Sequence, residues 1–435
     1  MLKNHKYLLG LFWGVAIFII PLPLIQALAA GMNESSLSIL GIQVGTIAYV
    51  WMLFVIFIST KPKWLDRIIG LPSMYFVHGF LGIGAIILAY VHTLMNLSSG
   101  LIKLTGDYAL WILIGTAAYS ILFLSGWITD RIHWIKLIVR FLERHIFKHE
   151  TSIWIHRLNL VATIFVFIHV LLIGYIMQIN SFALIFYLYS FITFLSYSWF
   201  IVSRYWRFSK ANVIEVKNLG GNMTQMILKF SKIKISHLRQ YQPGDYVFIS
   251  FPNLEKMKEM HPFSFVAFDL KNKEIVLAIR GDGDFSQQVS QVKIGEAVLI
   301  DGPYGTLNKQ IIEQSNAKQP LIMLAGGTGV VPLISLALEY SQKREIYFIW
   351  TVSSKDQLVY RKMLLQLSKN QKHFHYFESI HRLNSEKLLN ILTTPILENS
   401  YYLLSGSNIM MLGYKTLLRK CGIHSKNVYY EKFSF

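Results

Sequence analysis

The 435-residue chain is expected to be a multidomain membrane protein, with a six-helix transmembrane bundle followed by a small β-barrel domain and an α/β nucleotide-binding domain. Three observations predict this. Long apolar stretches alternate with short polar joints as far as about Arg207. Beyond it, charged residues, alternating strand patterns and turn signals take over. At 321–340 a buried-strand pattern runs into a glycine turn and then a helix. The first boundary falls near Ser209, giving domains 1–208, 209–310 and 311–435.

The apolar runs are Tyr7 to Ala30, Leu37 to Ser59, Leu71 to Leu97, Asp107 to Ile128, Ser152 to Gln178 and Phe182 to Val202. Each is near the ~20 residues a bilayer core requires. The first, behind Lys3 and Lys6, is too long for a signal peptide and is followed by further spans, so it reads as a retained helix. Lys3, Lys6, Lys61, Lys63, Arg67, Arg131, Lys136, Arg140, Arg144, Lys148, Arg204 and Arg207 fall on one side, and Lys103 on the other. The positive-inside rule then makes both termini cytoplasmic, and the expected location is the cell (plasma) membrane. The joint from Ile132 to Phe147 alternates apolar and basic residues, which suits a helix on the inner surface or one docked against the soluble half.

The formal charge of +18 is not arranged as a basic stripe interleaved with aromatics. It accompanies the apolar spans, so a lipid surface accounts for it and nucleic acid does not. Cys421 is the only cysteine, which excludes an intramolecular disulfide, a cysteine-bound zinc site and a four-cysteine iron–sulfur cluster.

Within the spans the ionisable side chains are almost confined to two helices: His78 and His92 on the third, and His156, Arg157 and His169 on the fifth. Polar groups in hydrocarbon are costly, so four intramembrane histidines shared two and two point to a function. His78 and His92 are fourteen residues apart, a rise of ~21 Å on nearly one helix face. His156 and His169 are thirteen apart, which matches the depth but leaves their directions ~140° apart unless a π-bulge or an oblique helix intervenes. Both helices run outward, so His78 pairs with His156 near the cytoplasm and His92 with His169 near the outside. Two isolated two-histidine layers within apolar walls match six-coordinate haem better than zinc or copper, with the porphyrin supplying the other four ligands. Gly79, Gly82 and Gly84 lie around the first pair and would leave room for a macrocycle.

In the second half, PGDYVFISF at 243–251 reads as a turn and a strand, and Glu274 to Arg280 as another, which predicts the small barrel. Between them stands HPFS (His261 to Ser264), and after them GDGDFS (Gly281 to Ser286). GPYG occupies Gly302 to Gly305. The segment LIMLAGGTGVVPLISLALEY is a buried strand, a glycine turn and a helix opened by Pro332, whose free N–H groups suit a pyrophosphate.

Paired histidines, HPFS, GPYG, GGTGVVP and a terminal EKFSF, in that order, resemble the ferric reductase and NADPH oxidase family, in which a ferredoxin-reductase-like module follows a haem-bearing membrane domain. The resemblance covers nearly the whole chain. It implies FAD, two b-type haems and NADPH or NADH as cofactors. His261, Pro262, Phe263 and Ser264 would border the isoalloxazine, and Arg280 with the Gly283, Asp284, Phe285, Ser286 turn would hold the FAD diphosphate. Gly302, Pro303, Tyr304 and Gly305 belong to the same cofactor-binding set, and Gly326, Gly327, Thr328, Gly329 and Pro332 would receive the nicotinamide nucleotide. Ser264, Ser405 and Phe435 are the expected catalytic positions, with Phe435 covering the flavin face. Ser405, Gly406 and Ser407 stand where the family usually has Cys-Gly-Pro. Ser353 stands where NADPH-preferring relatives often have arginine, while Lys355 and Arg361 offer charge to a ribose 2′-phosphate. The implied activity is electron transfer from NAD(P)H to O2, giving superoxide. Histidine spacing, thirteen intervening residues on one helix and twelve on the other, resembles the oxidases. A metalloreductase acting on ferric iron or cupric copper by the same electron chain is the alternative, and a proton-relay transporter with a nucleotide-sensing half is the rival of another class.

Overall fold

The computed structural model describes residues 8–32, 36–123, 134, 137–139, 149–231 and 233–430. It divides into two compact units, one formed by 8–62 and 73–202 and the other containing 63–72 and everything from 203 onward.

The first unit holds six helices long and apolar enough to cross a bilayer, at Leu9–Gly31, Ile39–Ser59, Leu71–Met95, Gly100–Phe123, Ser152–Leu171 and Asn180–Ser203. In hydrocarbon a helix is the open-chain form that satisfies every backbone group internally, so these stretches have no alternative, and the chain is a multi-pass membrane protein. The first span comprises α1 (Leu8–Gly14), a π-turn at Val15–Ile19 and α2 (Leu22–Gly31). The π-turn precedes Pro21 and Pro23, and the Ile20 N–H donates to Val15 O at 3.0 Å. Proline breaks the regular ladder there. The others are α3 (Ser36–Ser59), α5 (Leu71–Met95), α6 (Gly100–Phe123), α7 (His149–Leu171) and α8 (Asn180–Arg207), with the short α4 (Lys63–Ile69) between α3 and α5. The fourth span begins at Gly100 and not at Asp107, because Lys103 ion-pairs with Asp107 one turn on, at 2.5 Å, and both charges are carried on the helix. No π-turn is assigned in α7, so the irregularity expected between His156 and His169 is absent.

The second unit has two layers of architecture. Strands β1 (Ser209–Gly220), β2 (Met223–Phe230), β3 (Tyr246–Ser250), β4 (His261–Asp269), β5 (Glu274–Arg280) and β6 (Ala297–Tyr304) close a barrel in the order β1-β2-β5-β4-β3-β6. Its interior is filled by Met226, Leu228, Val247, Ile249, Leu277 and Ile300, which alternate with outward residues along each strand. HPFS opens β4. Strands β7 (Leu321–Gly326), β8 (Ile346–Val352), β9 (Phe374–Ile380), β10 (Tyr401–Ser405) and β11 (Val428–Tyr430) form a parallel sheet ordered β11-β10-β7-β8-β9. Every residue of β7 and β10 is buried, as a parallel strand covered on both faces requires. The helix after β7, α9 (Val330–Tyr340), starts two residues before Pro332, and α10 (Arg361–Asn370) and α11 (Asn408–Lys420) follow β8 and β10. The joint 132–147 and the carboxyl-terminal Glu431, Phe433 and Phe435 lie wholly or largely outside the described residues.

Candidate functional site

The membrane unit brings the four histidines together as two pairs. The ring centroids of His78 and His156 are 5.8 Å apart, and those of His92 and His169 are 6.2 Å apart. Two imidazoles on opposite sides of one metal, with metal–nitrogen bonds of about 2 Å, put their centroids about 6 Å apart. Both pairs form although α7 is α-helical throughout His149–Leu171.

Tautomers follow from the partners. His78 Nδ1 donates to Val55 O at 3.2 Å, His92 Nδ1 to Gly41 O at 2.9 Å, and His169 Nδ1 to Ile102 O at 2.8 Å. A carbonyl only accepts, so each of these nitrogens carries the proton and Nε2 keeps its lone pair; Asn96 Nδ2, at 3.2 Å from His92 Nδ1, is a longer contact than Gly41 O. His156 Nδ1 lies 2.9 Å from Ser120 Oγ. A metal-ligating histidine is ordinarily oriented by just such a bond on its other nitrogen. Among the described residues no group of three or more His, Cys, Asp or Glu side chains can hold a metal ion. A pair of histidines alone would leave a bare ion under-coordinated, whereas haem brings its own equatorial nitrogens. The residues present therefore fit haem.

The glycines that matter to these pairs are not all those expected. A Cβ on Gly79 or Gly82 would meet nothing within 4 Å, and one on Gly84 would meet the Trp51 ring at 2.9 Å. A Cβ on Gly45 would instead fall 2.7 Å from His92 Nδ1, and on Gly106 3.1 Å from His169 Nδ1. Each glycine stands four residues after the carbonyl that its histidine bonds, Gly41 and Ile102. The missing side chain opens the flank of a helical carbonyl that would otherwise be covered. A glycine facing an intramembrane histidine from another helix is the signal that sequence reasoning missed.

In the second unit HPFS and GDFS meet. His261, Pro262, Phe263 and Ser264 are all half-buried, where an ordinary strand would alternate, and so leave a continuous accessible strip on the barrel. The Phe285 ring lies 4.3 Å from that of His261 and 5.8 Å from that of Phe263. The Phe285 ring is buried in the barrel core and anchors the turn. Gly283 and Asp284 are exposed, and the Ser286 hydroxyl accepts from Gly283 N–H at 2.9 Å, which shapes the turn. Arg280 ends β5 and is paired with Asp282 at 3.0 Å. It also lies 3.9 Å from where a Gly327 Cβ would be, so the end of β5 and the glycine turn after β7 converge.

GPYG is a correction. Pro303, Tyr304 and Gly305 are buried, and the Tyr304 hydroxyl donates to Asp301 at 3.0 Å. The segment is covered by α4: Lys63 Nζ donates to Gly302 O at 2.6 Å, Arg67 Nη1 to Gly305 O at 2.8 Å, and Gly305 N–H to Asp66 at 3.2 Å. Arg67 also clasps both oxygens of buried Asp245 at 2.8 Å.

At the carboxyl edge of the parallel sheet, where such folds bind nucleotides, only Gly327 and Thr328 of the glycine turn reach the surface. Gly327 has φ +55°, a conformation glycine adopts freely, and its carbonyl accepts from Trp350 Nε1 at 3.0 Å. Gly326, Gly329 and Pro332 are buried. A Cβ on Gly329 would overlap the Ser405 carbonyl, and one on Gly326 would lie 2.6 Å from Met410 Cε, so these glycines serve helix–strand packing. Gly406 is likewise buried against Gly326. Ser405 is fully buried and its hydroxyl has no hydrogen-bond partner among the described residues, while Ser407 is exposed at this edge. Ser353 and Lys355 are exposed at the end of β8. Arg361 Nε holds both Glu378 oxygens at 2.9 Å, while the side chain stays exposed. Sequence reasoning missed a cleft of about 540 Å³ beside α11, lined by Arg382, Asn384, Ser385, Ile409 and Lys420.

Two families match this half of the chain: an FAD-binding domain over residues 207–308 and an oxidoreductase NAD-binding domain over residues 323–421. Among relatives, the gamma subunit of sulfhydrogenase 2 from Pyrococcus furiosus is 26% identical over 233 residues, 48% of this chain and 77% of that one. Ferric reduction oxidase 3 of Arabidopsis thaliana is 27% identical over 157 residues, 34% of this chain. Ferric reductase transmembrane component 5 of Saccharomyces cerevisiae is 25% identical over 142 residues, 29% of this chain. The matches span only 21% and 20% of these two ferric reductase relatives. With an FAD-binding domain and an oxidoreductase NAD-binding domain, this half of the chain is that of an FAD- and NAD(P)H-dependent oxidoreductase, and it is similar to the ferric reductases.

Proposed function

We propose that the chain is a transmembrane electron carrier of the cell membrane, taking electrons from NADPH or NADH at a cytoplasmic module and delivering them to O2 at the outer face as superoxide, with FAD and two b-type haems as its cofactors. The observation that carries this reading is the pairing of four histidines, three with Nδ1 committed to a backbone carbonyl, so that Nε2 of each of the three would be free to hold a metal. FAD supplies the exchange between a two-electron hydride and single electrons, and haem iron carries one electron at a time.

The residues divide the work. His78 and His156 would hold the inner iron, and His92 and His169 the outer one. Gly45 and Gly106 keep the outer imidazoles seated on their carbonyls. The half-buried strip His261–Ser264 offers a planar ligand an accessible barrel face, and Arg280 with the Gly283–Ser286 turn offers charge and backbone N–H groups to a diphosphate. Gly327, Thr328 and Ser407 line the edge at which a nicotinamide nucleotide would lie, and Arg382 with Lys420 adds positive charge to the neighbouring cleft. The basic joints support cytoplasmic termini, and the domain limits 1–208, 209–310 and 311–435 follow the same reading.

A redox-difference spectrum of the purified protein tests the proposal: NAD(P)H should elicit the reduced absorption of two low-spin haems per chain, and a haem-free preparation that still folds would end it. The ferric reductase relatives favour a second reading, iron as the acceptor. Superoxide-dismutase-sensitive cytochrome c reduction, measured beside ferric chelate reduction, separates the two.

A further inference from the structure

The four histidines are not keyed alike. Val55, Gly41 and Ile102 hold theirs with main-chain oxygens, which no substitution removes. His156 faces the Ser120 hydroxyl at 2.9 Å. A hydroxyl can donate or accept, so by itself it would leave the tautomer of His156 open. Ser120 Oγ, however, also lies 2.7 Å from Thr116 O, a carbonyl that only accepts. The single hydroxyl hydrogen is committed there, and Ser120 Oγ must accept from His156 Nδ1–H. Asn159 Nδ2, at 3.5 Å from the same nitrogen, is at the limit of a hydrogen bond. Asn159 is itself tied by its side-chain oxygen to the Thr116 hydroxyl.

We infer that Ser120 is a positioning residue for the inner haem: through Thr116 O it fixes His156 in the Nδ1–H tautomer, aims Nε2 at the iron, and sets the electron-donating strength of that one ligand. This rests on the di-haem reading above. A hydrogen bond accepted from Nδ1–H makes the imidazole a stronger donor and so favours ferric over ferrous iron. The hydroxyl's own donation to Thr116 O strengthens it as an acceptor. Ser120 is thus a side-chain handle on the inner centre alone, because it touches neither His92 nor His169.

The test is Ser120→Ala with Ser120→Thr as the conservative partner, both in the full-length protein in detergent. Haem content by pyridine haemochrome and spectroelectrochemical titration are the readouts. In Ser120→Ala the inner haem should shift to higher potential, changing its share of electrons relative to the outer haem about tenfold, which is about 59 mV for one electron. If the inner haem is instead lost from the alanine variant, the threonine variant should keep it. In Ser120→Thr, which retains the hydroxyl, both potentials should stay within a few-fold of the original distribution. Two haems with unchanged potentials in Ser120→Ala overturn the inference and leave the di-haem reading standing. Equal loss in the alanine and threonine variants overturns it as well, since the hydroxyl would not be what matters. Absence of haem from the unmodified protein ends the di-haem reading and this inference with it.

Discussion

Arg67 and Asp245 are 178 residues apart and form a two-bond charged contact with a buried carboxylate, which makes Arg67→Met the most informative perturbation of the packing of this unit. The guanidinium makes two bonds to the carboxylate at 2.8 Å, one to Gly305 O at 2.8 Å and one to Gln240 O at 2.9 Å. Asp245 is 1% exposed and Arg67 27% exposed. Burial pushes the Asp245 carboxyl up to about 7, against the pull of Arg67 and of the Gln242 N–H. Removing one partner of a buried pair costs about 3–5 kcal/mol, and the partial exposure of Arg67 points to the lower end. At about 2–4 °C per kcal/mol for a unit of this size, a loss of about 3 kcal/mol lowers the melting temperature by about 6–12 °C at pH 8. The cost should shrink at pH 6, where Asp245 takes up a proton and no longer leaves a charge behind. The sign for the intact protein is the reverse of the usual carboxylate. Its folded pKa is raised, so the contribution of Asp245 is fully present below the unfolded carboxyl range, near 4, and is lost as pH rises through about 7. Flavin-fluorescence melting between pH 5 and 8, on wild type, Arg67→Met, Asp245→Asn and the double variant, measures all of this. Asp245→Asn should flatten the pH dependence and cost less than Arg67→Met. A strictly additive double variant, or parallel pH curves for wild type and Asp245→Asn, would refute the reasoning.

Further outcomes concern the two sites. His92→Ala or His169→Ala should remove the outer haem and leave the inner one reducible by NAD(P)H, read by absorption; loss of the inner signal with the fold intact would contradict the pairing. Gly45→Ala should weaken outer-haem retention by about 10–100-fold, and Gly106→Ala less, because the added carbon meets His92 at 2.7 Å but His169 at 3.1 Å. Equal haem retention in both would show that the carbonyls need no open flank. Because Arg361 is held by Glu378, Lys355→Ala should raise the Michaelis constant for NADPH over NADH by about two- to fivefold, while Arg361→Ala alone changes the ratio little. A larger effect for Arg361→Ala would mean that the ion pair opens on binding.

Hydrophobic periodicity is a local property, and so the six spans, the strand Glu274–Arg280 and the strand–turn–helix at 321–340 were legible in the sequence, as was the depth of each histidine. Residue type at a fixed spacing along a helix sets depth by rise alone. What each side chain touches was not legible. GPYG reads as a surface loop until α4 covers it, and Phe285 reads as part of an exposed turn until its ring enters the barrel core. Arg361 offers a full charge until Glu378 takes it. Gly79 and Gly82 stand beside open space, as expected, while Gly45 and Gly106, on other helices, stand against the rings. The tautomers of His78, His92, His156 and His169 depend on Val55, Gly41, Ser120 and Ile102, which stand 23 to 67 positions away. The amino-acid sequence by itself determined which segments are apolar, which are strands and where the histidines lie along their helices. The tertiary structure alone decided burial, hydrogen-bond partners and protonation, because these come from groups distant along the chain whose meeting no local pattern encodes.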